Sequence, residues 1–115
     1  MRFEFATVGR ILFGAGTLAD AGPLAAGMGR RALVVTGHSQ ARADPLVESL
    51  VDHGVACMTF AVAEEPTVDT IRRGVARARE QGCDLVVGFG GGSALDTGKA
   101  IAALFTNEGD LMEYL

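Results

Sequence analysis

The stretch Asp84-Leu85-Val86-Val87-Gly88-Phe89-Gly90-Gly91-Gly92-Ser93-Ala94-Leu95-Asp96-Thr97-Gly98-Lys99 decides how this chain is read. Its first half is apolar and β-branched without polar alternation, the pattern of a strand buried on both faces of a parallel sheet. Three consecutive glycines follow, and then apolar positions Leu95, Ile101, Leu104 and Phe105 recur at helical spacing. A strand, a glycine turn and a helix start together make an anion cradle. Glycine lets a phosphate approach the backbone, while the unpaired N–H groups of the first helical turn and the helix dipole favour negative charge. A phosphate-bearing ligand, a nucleotide by preference, is the first functional expectation.

Two generic nucleotide motifs are excluded. A Walker A loop needs glycine five residues before Gly98-Lys99 and Ser or Thr after them, where this chain has Ser93 and Ala100. The dinucleotide fingerprint G-x-G-x-x-G would run Gly88, Gly90, Ser93 and fails at its last position.

Outward from this stretch, the chain reads as repeated strand–helix units. Residues 2–5 and 10–13 are expected as short strands, open to forming a hairpin. A short helical stretch follows Gly14 to Gly16, restarts at Gly22-Pro23 and closes at Gly27 to Gly29. Ala32 to Thr36 reads as a buried strand. Asp44 is then expected as N-cap with Pro45 at N1, opening a helix with Leu46, Val47, Leu50 and Val51 on its core face and Gly54 past its end. Val55 to Val62 is the next strand. Thr67 caps a helix with Val68, Ile71, Val75 and Ala78 inward, ended by Gly82. Alternating units of this kind predict an α/β fold, a Rossmann-like parallel sheet with flanking helices and right-handed crossovers. Ligands on such sheets sit at the carboxyl ends of the strands, which selects the loops Gly37 to Arg42, Ala63 to Thr67 and Gly90 to Ser93.

Length and composition bound the rest. With 115 residues, 49% of them apolar, the chain is one globular domain. A net charge of −4 with scattered basic residues argues against nucleic acid; Arg72, Arg73, Arg77 and Arg79 are spread round one helix and read as a solvated face. Cys57 and Cys83 lack metal or redox spacing and are expected to be reduced core residues. No leader or membrane-length apolar run is visible, so the expectation is cytoplasmic, with no membrane partner. His38 and His53 have no partner at metal-ligand spacing, and His53 is expected to serve a helix C-terminus.

The pattern Gly90-Gly91-Gly92-Ser93-x-x-Asp96-x-x-Lys99 resembles the iron-containing (group III) alcohol dehydrogenase family, which shares its fold with glycerol dehydrogenase and 3-dehydroquinate synthase. Phe3-x-Phe5, Arg10-Ile11-Leu12-Phe13-Gly14-x-Gly16, Arg31-Ala32-Leu33-Val34-Val35-Thr36 and Glu65-Pro66-Thr67 agree with the resemblance. It implies that residues 1–115 form the N-terminal nicotinamide-dinucleotide-binding domain, dehydroquinate synthase-like and incomplete. The helical domain that carries an Asp and His set for Fe²⁺ or Zn²⁺ is then absent from this chain. The implied cofactor is NAD or NADP, the implied substrate a small alcohol, aldehyde or ketone, and the 115 residues alone are expected to be inactive. Maleylacetate reductase, glycerol dehydrogenase, dehydroquinate synthase and a non-catalytic nucleotide-binding module are the alternatives. Substrate, metal identity and homo-oligomerisation stay open.

The candidate cofactor-binding residues are Gly37, Ser39, Glu65, Gly90, Gly91, Gly92, Ser93 and Asp96, with no catalytic or metal-ligating residue assigned. The glycines and the Ser93 hydroxyl suit a pyrophosphate. Ser93 and Asp96 also read as an acidic capping box, Ser93 at N-cap and Asp96 at N3; the resemblance puts Asp96 near the nicotinamide. NAD-preferring members of the resembled family place an Asp where this chain has Gly37. Losing that carboxylate removes repulsion of a 2′-phosphate, for which Ser39 and Arg42 could supply a donor and a charge. Glu65 is either an adenosine contact or a loop residue facing a helix dipole.

Overall fold

The computed structural model describes residues 2–7, 10–15, 18–62 and 66–107. Five strands, β1 (Arg2–Thr7), β2 (Arg10–Ala15), β3 (Arg31–Thr36), β4 (Ala56–Ala61) and β5 (Leu85–Phe89), form one sheet in the order β2-β1-β5-β3-β4. The helices are α1 (Leu18–Ala26), α2 (Asp44–Asp52), α3 (Val68–Glu80) and α4 (Gly92–Asn107). β5, β3 and β4 run parallel, as the apolar runs of β3 and β5 predict, with Val34 opposite both Thr59 and Val87. β1 and β2 form the expected hairpin, longer than foreseen. β1 docks antiparallel on β5, with Phe5 opposite Val87, so the sheet is mixed rather than wholly parallel.

Alternation along the strands sends side chains to two cores. Ala32, Val34, Leu85, Val87 and Phe89 pack with Ala21 and Ala25 of α1 and Leu46 and Leu50 of α2. Leu33, Val35 and Val86 pack on the other face with Ile71 and Val75 of α3 and Ile101 and Leu104 of α4. The crossover through α2 therefore lies on one face, and α3 and α4 lie on the other.

Three local expectations change. α1 runs unbroken through Gly22-Pro23 because it leans on α2: Gly22 N–H donates to Ser49 Oγ at 3.1 Å, and a Cβ on Gly22 would fall 2.5 Å from the Ser49 carbonyl oxygen. Gly14 belongs to β2 rather than to a turn. Asp44 is not an N-cap. A 3₁₀ turn over Gln40–Ala43 feeds straight into α2, so Ala43 occupies the cap position and Asp44 falls in the first turn, where its carboxylate still suits the dipole. Leu46 and Leu50 are buried as expected, whereas Val51 is 54% exposed.

The other boundaries follow local chemistry. Thr67 and Thr70 form a reciprocal capping box at the start of α3. Gly54 and Gly82 end α2 and α3 with φ of +83° and +67°. His53 Nδ1 lies 2.8 Å from the Ser49 carbonyl oxygen at the end of α2, the helix-terminal role expected of it. At the amino end of the parallel strands, the Asp84 carboxylate accepts from the Arg30 and Arg31 N–H groups at 3.0–3.1 Å. Asp84 thereby ties the entry of β3 to that of β5, away from the carboxyl ends.

Both cysteines are free and packed among apolar residues. Burial, with the Cys83 thiol nearby, pushes the Cys57 thiol from 9.0 up to about 11, and burial raises Cys83 too. A thiol pKa raised by folding means the unfolded chain loses its proton first. Stability is therefore whole below pH 9 and falls as pH rises towards about 11. Urea midpoints from pH 8 to 11 should drop more steeply in the native chain than in Cys57→Ala; parallel slopes would contradict this.

Candidate functional site

The carboxyl ends of β3 and β5 lie side by side, and the helices that follow them, α2 and α4, depart to opposite faces of the sheet. Such a reversal opens a crevice between the two loops, the usual ligand position on an open α/β sheet. Here the loops run close together: a Cβ on Gly90 would lie 3.7 Å from the Gly37 nitrogen. Gly90 has φ +126°, a conformation few side-chain-bearing residues adopt, and this turns the chain from β5 towards α4.

α4 begins two residues earlier than a Ser93 cap would require. Leu95 N–H bonds to the Gly91 carbonyl at 3.1 Å, so Gly91 is the capping residue and Ser93 already lies inside the first turn. The expected capping box of Ser93 and Asp96 is therefore absent. The glycines let the chain enter helical geometry sooner than a serine cap would. Gly92, Ser93 and Ala94 consequently have N–H groups without intrahelical partners, at the positive end of a 16-residue helix. Ser93 and Asp96 are exposed, Asp96 just past the first turn.

The opening is lined by missing side chains. A Cβ added to Gly37, Gly91 or Gly92 would meet no atom within 4 Å, so these backbones face open space. Two other glycines act beneath. Gly98 of α4 packs on Gly88 of β5, where a Cβ would stand 3.4 Å from the Gly88 Cα, so the helix lies close on the strand and its N-terminus is held at the crevice. Gly88 and Gly98 were not among the expected site residues, although small residues on a strand and the following helix, flanking a glycine turn, could have revealed them.

On the β3 side, Ser39 is exposed and precedes the 3₁₀ turn, its carbonyl accepting from Arg42 N–H at 3.3 Å. His38 and Arg42 are exposed as well. Gly37, Ser39, Gly90, Gly91, Gly92 and Ser93 thus converge on one end of the sheet, with Asp96 following on α4. Glu65 lies outside the described residues. Among those described, no three His, Cys, Asp or Glu side chains converge as a metal site would require. No helix among them is long and apolar enough to cross a membrane.

The model of one family, iron-containing alcohol dehydrogenase, matches residues 9–115. The chain belongs to that family. The sulfoacetaldehyde reductase of Bilophila wadsworthia is 37% identical over 119 residues, covering 99% of this chain and 31% of that protein. The choline dehydrogenase of Bacillus subtilis is 35% identical over 117 residues, covering 97% and 29%. Among solved structures, the NADH-dependent butanol dehydrogenase A of Thermotoga maritima superposes with a TM-score of 0.75 at 28% identity, covering 87% of this chain and 27% of that one. The chain therefore spans about three-tenths of the length of these relatives. The superposition bears out the α/β architecture, and the family match bears out the family expected from the glycine signature.

Proposed function

We propose that the crevice between Gly37 and Gly90–Ser93 is the nicotinamide-dinucleotide site of an iron-containing alcohol dehydrogenase that interconverts an alcohol with an aldehyde or ketone. The observation that carries this reading is the set of glycines, Gly37, Gly91 and Gly92, whose absent side chains leave open space at the start of α4. A pyrophosphate needs room for close approach and N–H donors without competing acceptors, and the first turn of α4 provides both. Bound there, NAD or NADP supplies or accepts the hydride of the reaction. The chain's own contribution is to bind and orient. The Gly92, Ser93 and Ala94 N–H groups and the Ser93 hydroxyl hold the pyrophosphate, the Gly37–Ser39 loop borders the adenosine, and Asp96 lies towards the nicotinamide.

Gly37 bears on the choice between NAD and NADP. It puts no carboxylate at the end of β3, and the exposed Ser39 and Arg42 stand next along the chain. A 2′-phosphate meets no repulsion from residue 37, and Arg42 offers charge. The metal, Fe²⁺ or Zn²⁺, would be held by residues other than those described, since their donor set does not converge. The substrate is a small alcohol or carbonyl compound in the complete enzyme. Calorimetric titration of this chain should show saturable binding of both NADP and NAD, with Arg42→Ala weakening NADP about three- to tenfold and NAD by less than about twofold. Absence of saturable binding by either dinucleotide would overturn the assignment.

A further inference from the structure

Among the described residues two polar side chains are fully buried, Thr36 and Thr97, and both lie beneath the crevice. Thr97 Oγ1 donates to the Ser93 carbonyl one turn back at 2.6 Å, an ordinary outlet for a helical threonine. Thr36 is different. It ends β3 with 1% exposure, where the core would accept a valine of the same shape, and its Oγ1 donates to the carbonyl oxygen of Gly37 at 2.9 Å. That carbonyl belongs to a loop with no ladder to hold it.

A trans peptide directs its C=O and N–H oppositely. With the Gly37 oxygen held against a buried hydroxyl, the N–H of the same peptide, that of His38, faces the exposed side. The His38 N–H makes no hydrogen bond among the described residues. The Gly37 nitrogen borders the glycine turn, as its 3.7 Å approach to the Gly90 Cβ position shows.

We propose that Thr36 is a positioning residue for cofactor binding: its hydroxyl keeps the Gly37 oxygen out of the crevice and presents the His38 N–H to the ribose oxygens on the adenosine side. This rests on the dinucleotide reading above. Without the hydroxyl, the half-buried Gly37 peptide can turn its oxygen, an acceptor, towards an anionic ligand and its donor away.

The test compares the native chain with Thr36→Val and Thr36→Ser, using ADP-ribose and inorganic pyrophosphate as calorimetric probes. Thr36→Val should keep its urea midpoint but bind ADP-ribose about three- to tenfold more weakly. Thr36→Ser, which keeps the hydroxyl, should bind within about twofold of the native chain, and pyrophosphate, which reaches only the glycine turn, should bind all three alike. In the native chain the His38 amide resonance should move on adding ADP-ribose. Undiminished ADP-ribose affinity in Thr36→Val overturns the role of Thr36 and leaves the dinucleotide site standing. No ADP-ribose binding by the native chain overturns both. Should Thr36→Val fail to fold, a native His38 amide unmoved by saturating ADP-ribose overturns the proposal.

Discussion

Replacing Gly92 by aspartate should weaken dinucleotide binding on the order of a hundredfold while leaving the fold intact. A Cβ added at Gly92 meets no atom within 4 Å, so the substitution begins in open space rather than against packed atoms. Gly92 is also the first residue of α4, where a carboxylate is favourable to the helix by a few tenths of a kcal/mol, and replacing glycine raises helix propensity. Stability should therefore hold or rise slightly. Binding should not. The carboxylate would stand where the pyrophosphate approaches, and two like charges about 4 Å apart repel by about 4 kcal/mol at an effective dielectric near 20. Solvent and side-chain movement relieve part of this, leaving affinity for NADP and NAD on the order of a hundredfold weaker. A Gly92→Asp chain with native affinity would remove the glycine turn from the site; one that unfolds would contradict the open space seen there.

The second large effect is on stability. Ile101 is fully buried at the centre of the α3–α4 face, and its Cδ1 fills the hollow left by Gly74 on α3, beside the Phe60 ring. Ile101→Ala removes the knob from that hole, and a close-packed surround collapses only partly. The loss should be about 3 kcal/mol, within the usual 2–5 kcal/mol range for such truncations. Against a total of roughly 5–15 kcal/mol for a domain, this brings the chain near the edge of folding. The complementary change has an informative sign. Gly74→Ala gains about 1 kcal/mol of helix propensity but puts its methyl 3.0 Å from Ile101 Cγ1 and 3.3 Å from Phe60, closer still to Cδ1. It should destabilise alone and be relieved in Ile101→Val, which removes Cδ1. Strict additivity in a urea-melt double-mutant cycle would contradict the knob-and-hole contact.

The parts of the fold legible in the sequence are those set by local pattern. β3 and β5 could be read because unbroken β-branched runs suit strands covered on both faces, and Thr67, Gly54 and Gly82 mark helix ends by residue chemistry. The parts that were not legible depend on distant partners. That β1 would lie antiparallel on β5 is a pairing across some eighty residues. That α1 survives Pro23 depends on Ser49 of another helix. The caps at Asp44 and Ser93 failed for a different reason: each residue has the right chemistry, but a 3₁₀ turn in one case and the glycine run in the other start the helix earlier.

The same division holds at the site. The sequence selects Gly37 and Gly90–Ser93 because strand ends and glycine turns point to the carboxyl edge, and the two loops lie side by side there. The support beneath them was not seen. Gly98 against Gly88 and the Thr36 hydroxyl on the Gly37 carbonyl are contacts between a loop and what lies under it, and a residue's type alone does not announce them.

The central claim, that the crevice between the β3 and β5 loops takes a nicotinamide dinucleotide, is tested most directly by following the backbone amide resonances of the chain during a titration with NADP. The account predicts saturable shifts concentrated at Gly37, His38 and Gly90 to Ala94, with the opposite end of the sheet around Asp84 unmoved. Shifts centred anywhere else, or none that saturate, would contradict it.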